Sequence, residues 1–235
     1  LKDDTAFEAQ YFYRDDGTEA ERVWDEADAT TAFEQLRGAR EAIVESVRRR
    51  SRTDDPPEPF NTTQYISAAG SLGLSAQKAM SIAEELYTTG YITYPRTDNT
   101  VYPDDLDPRE LLGEFTEHYL FGDDAESLLA VEEIEPTAGD EETTDHPPIH
   151  PTGEIPARDD LSDDEWDVYE LVVRRFFATV ADPAEWEHLK VVADANGCLL
   201  KANGKRLVEA GYHDVYPYRS TSENHVPDVE EGEIL

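Results

Sequence analysis

The sequence predicts an α+β fold in which a helical, winged-helix-like (CAP-like) domain is inserted into a discontinuous β-rich domain. Three observations predict it. Strand and hairpin patterns occupy both ends of the chain, a helical period of apolar residues occupies the middle, and a proline cluster, "TDDPPEPF", separates the first pattern from the second. The boundaries expected from these shifts are 1–59 plus 187–235 for the β-rich domain and 60–186 for the helical one.

The elements follow in order. "AFEAQYFYRDDGTEAERVW" is two aromatic or apolar runs around Asp16-Gly17, a hairpin signal. "DEADATTAFEQLRG" reads as a short helix with acids in its first turn and Gly38 as its stop. "REAIVESVRRR" fits a strand or a helix, and the alternation of Ile43, Glu45 and Val47 favours the strand. Beyond the prolines, Asn61 or Thr62 can cap a helix that stops at Gly73. Ser75 can cap a second, with Ala79, Ile82, Ala83 and Leu86 on one face before Gly90. A β-like run, "GYITYPRTD" at 90–98, follows these two helices, so the trio has the outline of a helix-turn-helix with a wing. "RELLGEFTEHYLF" and "AESLLAVEE" read as further helices, and "PTAGDEETTDHPPIHPTGEIPARDD" as a long loop. Ser162 with Glu165 forms a capping box for the helix that carries Leu171, Val172, Phe176 and Val180. Asn196-Gly197 and Asn203-Gly204 then predict two successive hairpin turns.

Composition narrows the setting. The 235 residues carry 54 Asp and Glu against 20 Lys and Arg, for a formal net charge of −34. Acid dispersed along the whole length, with only five lysines, resembles proteins of salt-loving microbes, because concentrated salt screens the self-repulsion of such a chain. A single cysteine, Cys198, excludes an internal disulfide framework and a cysteine-based zinc site. No run approaches the length of a membrane helix and no signal-peptide pattern opens the sequence, which starts on Leu1. A cytoplasmic piece of a longer protein is the expectation.

Within "GYITYPRTD", Tyr94 and Arg96 stand two residues apart, and in an extended run they point to one side. A tyrosine phenolate can attack phosphorus, and a neighbouring guanidinium can hold the phosphate and stabilise the charge that develops. Asp98, two residues further, could orient Arg96 if the extended form continued. Taken alone, Y-x-R-x-D is more often a packed strand tyrosine beside an exposed ion pair.

The order of motifs decides between these readings. "PPEPFNTTQYISAAGSLGLSAQKAMSIAEELY" before "GYITYPRTDN", and "DHPPIHPT" and "DVYELVVRRFFATVADPA" after it, together resemble the active-site region of the type IA DNA topoisomerases. The resemblance covers residues 56 to about 184, is of the archaeal-like kind, and fits the β-rich flanks more loosely. It implies that Tyr94 is the nucleophile that becomes joined to a 5′ phosphate and that Arg96 contacts the scissile phosphate. It implies a supporting role for Asp98, and a phosphate or acid-network role for His146. Thr97, His150 and Arg174 complete the set of supporting or DNA-contacting positions. Two residues depart from the common pattern: Asn99 stands where Ser is usual, and His150 where many members have Arg, which leaves open any phosphate contact made by that Arg.

The same resemblance implies transient cleavage of one DNA strand, strand passage and resealing without ATP, relaxing negatively supercoiled DNA near the nucleoid. It implies Mg2+ held by a Toprim domain and further topoisomerase domains, none of them in this chain. The acidic runs "GDDAES", "GDEETTD" and "DVEEGE" read as solvated surface, and no metal site is expected here. A fragment lacking the Toprim half is expected to be inactive alone. The competing readings are a non-catalytic helix-turn-helix module that binds DNA or a protein and, last, an acidic DNA mimic. Three local alternatives stay open. Arg48–Arg50 could meet DNA phosphates or form a solvated strand end. Arg174 and Arg175 could face DNA or acidic neighbours. His118, His188, His213 and His225 read as surface or packing residues.

Overall fold

A computed structural model describes residues 6–235. The chain divides into two compact units. One comprises the described residues up to Thr53, Glu185–Glu209 and Thr221–Leu235; the other comprises Asp54–Ala184 and Ala210–Ser220.

The first unit is built on a five-stranded antiparallel sheet. Strands β1 (Gln10–Asp15), β2 (Thr18–Ala20), β3 (Ile43–Asp54), β4 (Ala184–Ala195) and β5 (Cys198–Glu209) take the order β2-β1-β5-β4-β3. Helix α1 (Glu26–Gly38) is capped by the Asp25 carboxylate, which accepts from the Ala27 and Asp28 amides. Val44, Leu189, Val191, Ala202, Val226 and Val229 form a continuous core. The β1–β2 turn places Asp16 and Gly17 at positive φ, as the Asp-Gly pair predicts, and Asn196-Gly197 does the same between β4 and β5.

Asn203-Gly204 is not a turn, which corrects the sequence expectation. β5 runs straight through it, with Asn203 opposite Lys190 and Gly204 opposite Leu189. Crowding favours glycine there. A Cβ on Gly204 would lie 3.2 Å from the Val226 Cβ and 3.3 Å from the Leu189 Cβ. The Asn-Gly pair therefore marks a close approach of another backbone, not a reversal.

The second unit is helical. Helix α2 (Thr62–Ser71) is opened by Asn61 through a capping box with Gln64, and α3 (Ala76–Thr88) by Ser75. Their stops, Gly73 and Gly90, adopt positive φ. Ala79, Ile82, Ala83 and Leu86 of α3 are buried, and the Tyr65 hydroxyl of α2 donates to the Ala79 carbonyl at 2.7 Å, fixing the pair. Helix α4 (Pro108–Gly113) is shorter than its pattern predicts, because turns occupy most of 114–121, and α5 (Gly122–Leu129) begins and ends earlier than "AESLLAVEE" predicts. Helix α6 (Asp163–Thr179) carries the predicted Ser162–Glu165 capping box. It is buried nearly all round, so it is the central helix of the unit and not one with a single apolar face. Phe115, Phe121, Phe177, Trp166 and Tyr169 form an aromatic cluster around it.

The segment after α3 forms no strand. Residues 91–99 make a single bridge, Ile92 to Pro151, in place of the expected β-like run. Pro95 lacks an N–H and the neighbouring backbone groups bond to loops and side chains, so no ladder can propagate. The long loop 136–160 is irregular up to a 3-10 turn at Arg158–Asp160, and it is fastened by the bridges Phe60–Ile149 and Ile92–Pro151.

Candidate active site

Three stretches far apart in sequence are laced together around Tyr94. The Thr62 amide, in the first turn of α2, donates to the Thr97 carbonyl at 2.9 Å. The Thr62 hydroxyl sits 2.8 Å from the Pro95 carbonyl and accepts the Thr97 amide at 2.9 Å. On the other side, the Thr93 amide donates to the His150 carbonyl, and the His150 amide donates back to the Thr93 hydroxyl, both at 3.0 Å. The Thr93 hydroxyl donates to Pro148, and the Thr152 amide to Tyr91. Every residue from Tyr91 to Thr97 is therefore flanked by backbone fixed from a helix start or from the "HPPIHP" loop.

Tyr94 is half-buried between two rings. Tyr87 of α3 meets it edge-on, with ring centroids 5.2 Å apart, and the His146 ring lies 4.6 Å away at a 54° tilt. Arg96 is exposed, and its guanidinium is held by Glu84, with Nε donating to Glu84 Oε1 at 2.9 Å and a second, shorter contact from the same group. Glu84 and Tyr87 are one turn apart on α3, so this one helix face receives both Arg96 and Tyr94.

The remaining predicted residues take different places. Thr97 is buried and donates its hydroxyl to the His146 carbonyl at 3.2 Å. Asp98 is exposed, and Glu84 rather than Asp98 holds Arg96. His146 is exposed at the edge of the Tyr94 niche. His150 points elsewhere: it is 7 % exposed, stands edge-on to Tyr102 at 5.5 Å, and donates from Nδ1 to the Pro151 carbonyl at 2.7 Å. Burial pushes its pKa down to about 4, so it is neutral at pH 7 and offers no charge to a phosphate. Arg174 is clasped by Glu170 at 2.6 Å and Asp124 at 3.1 Å, the acidic neighbours that one of its two open alternatives names.

Sequence reasoning passed over two contributors and gave a third, Asn99, no role. Glu84 and Tyr87 were hidden among the solvent-facing residues of α3, although their spacing of three residues was legible. Asn99 is only 5 % exposed, and its amide donates to the Thr143 carbonyl at 2.9 Å and the His146 carbonyl at 3.1 Å. Its side-chain oxygen accepts the Val101 amide at 3.0 Å. A serine could not span these three groups, so the departure at Asn99 has a structural use: it ties the His146 loop to the Tyr94 segment.

The Mg2+ implied by the resemblance finds no donor set here. Among the described residues, no three His, Cys, Asp or Glu side chains gather in an arrangement that could hold a metal ion. Among them too, no helix is long and apolar enough to cross a membrane.

Comparison with known proteins identifies the family. A family model described as DNA topoisomerase matches residues 2–235. The chain is 46% identical over 194 residues to DNA topoisomerase 1 of Archaeoglobus fulgidus, covering 83% of this chain and 29% of that protein. It is 32% identical over 216 residues to human DNA topoisomerase 3-beta-1, covering 91% of this chain and 25% of the relative. The full-length topoisomerase I of Thermotoga maritima has the same fold over 93% of this chain and 36% of its own, with a TM-score of 0.67 at 23% identity. The chain thus spans between a quarter and a third of the length of these curated relatives. With the family model matched along almost its whole length, the chain belongs to the type IA DNA topoisomerase family.

Proposed function

We propose that Tyr94 is the nucleophile of a type IA topoisomerase that opens and reseals one strand of DNA. The observation that carries this reading is the niche itself: a half-buried phenol framed by His146 and Tyr87, with the Arg96 guanidinium drawn to the same face of α3. In the step proposed, the Tyr94 oxygen attacks phosphorus, a phosphotyrosine bond forms, and the bond from phosphorus to the 3′ oxygen breaks. The phenol loses its proton, and the departing 3′ oxygen gains one. Arg96 holds the scissile phosphate bidentately and stabilises its developing charge, exchanging Glu84 for the phosphate as it does so. His146, exposed beside the phenol, donates a hydrogen bond to the same phosphate, and Asp98 and Thr97 support the segment. Resealing reverses the step, with no energy lost to hydrolysis, so no ATP is needed.

The acid that protonates the 3′ oxygen, the Toprim domain and its Mg2+ belong in this reading to residues of the whole protein outside this chain. Strand passage needs the nucleophile-bearing unit to swing away from that domain, and the proline-rich stretch Pro56–Pro59 is the proposed hinge. The CAP-like comparison is retained as a proposal that α2 and α3 face DNA. The dispersed acid points to a source that works in concentrated salt, with single-stranded or negatively supercoiled DNA as partner. The test is Tyr94→Phe in the whole protein. Loss of both relaxation and covalent DNA adducts is expected, whereas adducts at the wild-type level would return the chain to the reading of a non-catalytic DNA-binding module.

A further inference from the structure

A second feature of the helical unit is a polar groove of about 750 Å³ along α2. Arg175 of α6 forms part of its wall. This guanidinium is only 7 % exposed, donates from Nε to the Glu58 carbonyl at 2.8 Å, and reaches the Tyr216 hydroxyl at 3.4 Å. Its charge lies 4.3 Å above the Phe60 ring, and none of the ion pairs among the described residues includes it. Arg219 stands on the same groove, exposed and likewise outside any ion pair, donating to the Tyr212 hydroxyl at 3.1 Å. Burial lowers the pKa of Arg175, the Tyr216 hydroxyl offsets part of that, and the Arg219 charge lowers it further.

About half of the described Lys and Arg side chains are ion-paired with carboxylates, as Lys78, Lys190, Lys201 and Arg174 illustrate. Among the described Lys and Arg residues outside such pairs, Arg175 is the one that is buried. The only carboxylate on the groove wall, Glu58, is already engaged by the Gln64 amide. A buried cation without a counter-charge is costly, and a bound anion offsets that cost. Thr63, Ser67 and Ser71 line the groove at intervals of four residues, one face of α2 over roughly 12 Å. Tyr216, buried against Arg175, and the half-buried Tyr218 line the groove as well.

We propose that this groove binds a nucleotide of a single DNA strand, with a phosphate between Arg175 and Arg219 and the base against Tyr218. Arginine and aromatic faces in one groove are the means by which proteins hold single strands without reading sequence. The position suits a strand already engaged at Tyr94. Thr62 ties the Tyr94 segment to α2, and the next residue, Thr63, is on the groove. The proposal rests on the reading of Tyr94 as a DNA nucleophile, and extends it to where the strand runs next.

The test uses the whole topoisomerase with Tyr94→Phe, oligo(dT) carrying 5-iododeoxyuridine, and dTMP as the mononucleotide probe. Ultraviolet crosslinking is expected to mark the peptide containing Tyr216 and Tyr218. Arg219→Glu, at an exposed position, and Ser67→Trp, which fills the groove, are each expected to weaken oligo(dT) binding about tenfold, the equivalent of one stacked base. Arg219→Glu should also reduce the salt slope by about 0.7, one phosphate contact on a single strand. Wild-type affinity in both variants with no crosslink at residues 216–218 would overturn the groove assignment. Crosslinking abolished by dTMP at concentrations that leave oligo(dT) bound would overturn the strand assignment in favour of a free nucleotide. Adduct formation by the Tyr94 protein is measured separately, so its failure would remove the nucleophile reading and not be mistaken for failure of the groove.

Discussion

Arg96 donates to Glu84 at 2.9 Å, so the arginine proposed to clamp a phosphate is held by a carboxylate of α3. The pair is exposed on both sides, and exposed pairs contribute about 0.2–1 kcal/mol. Glu84→Gln is therefore expected to tighten single-strand binding by up to about fivefold in dilute salt. The gain should shrink as salt rises, because the carboxylate it removes is already screened there. Titrations of labelled oligonucleotide against the variant at several ionic strengths check this; weaker binding at every salt would show that Glu84 positions Arg96 and does not compete for it.

Asn99 joins the Tyr94 segment to the His146 loop through three hydrogen bonds. Asn99→Ala leaves the Thr143 carbonyl and the Val101 amide without these partners and the His146 carbonyl with the Thr97 hydroxyl alone. The expected loss is about 1–3 kcal/mol of stability. Release of the His146 loop should also slow strand cleavage. Denaturant unfolding and adduct kinetics measure the two effects, and a variant equal to wild type in both would contradict the tie.

His150 gives the fold a defined acid limb. Its folded pKa of about 4 lies below the ordinary histidine value near 6.5, so the unfolded chain binds the proton more tightly. Stability from keeping this ring neutral is fully present above pH 6.5 and is lost as pH falls through 6.5 toward 4. Between pH 7 and pH 5 the loss amounts to about 2 kcal/mol. His150→Gln should flatten that part of the stability profile relative to wild type, while the carboxylates titrate in both proteins. An unchanged slope would mean that His150 opens to solvent.

The net charge of −34 predicts a fold that salt strengthens. Screening shortens the reach of the self-repulsion to about 3 Å at 1 M. The thermal midpoint should rise on going from dilute buffer to molar KCl. A flat or falling midpoint would remove the argument for a salt-rich setting.

How much of this was legible in the sequence depended on whether the signal was local. Caps are local, and Asn61, Ser75 and Ser162 each start the helix their side chain predicts. Asn-Gly is local chemistry with two uses. At 196–197 it turns the chain, and at 203–204 it admits Val226 beside the strand, a tertiary cause that no nearby residue announces. Tyr94 and Arg96 were legible as a chemical pair, and the structure brings both to α3. It does so through an irregular segment, because Pro95 and the Thr62, Thr93 and His150 bonds replace a strand ladder. The histidines of "HPPIHP" could not be told apart by type. Burial alone sends His150 to Tyr102 and leaves His146 beside the phenol. Arg174 looked equally suited to DNA until the fold set Asp124 and Glu170 around it.

The central claim is that the Tyr94 oxygen forms a covalent bond with a 5′ phosphate. The whole protein, incubated with a single-stranded oligonucleotide and Mg2+ and then denatured, should yield a DNA-linked peptide. Digestion and mass spectrometry should place the phosphodiester on Tyr94, and Tyr94→Phe should yield no such peptide. A linkage mapped to any other residue, or an adduct that survives Tyr94→Phe, would contradict the account.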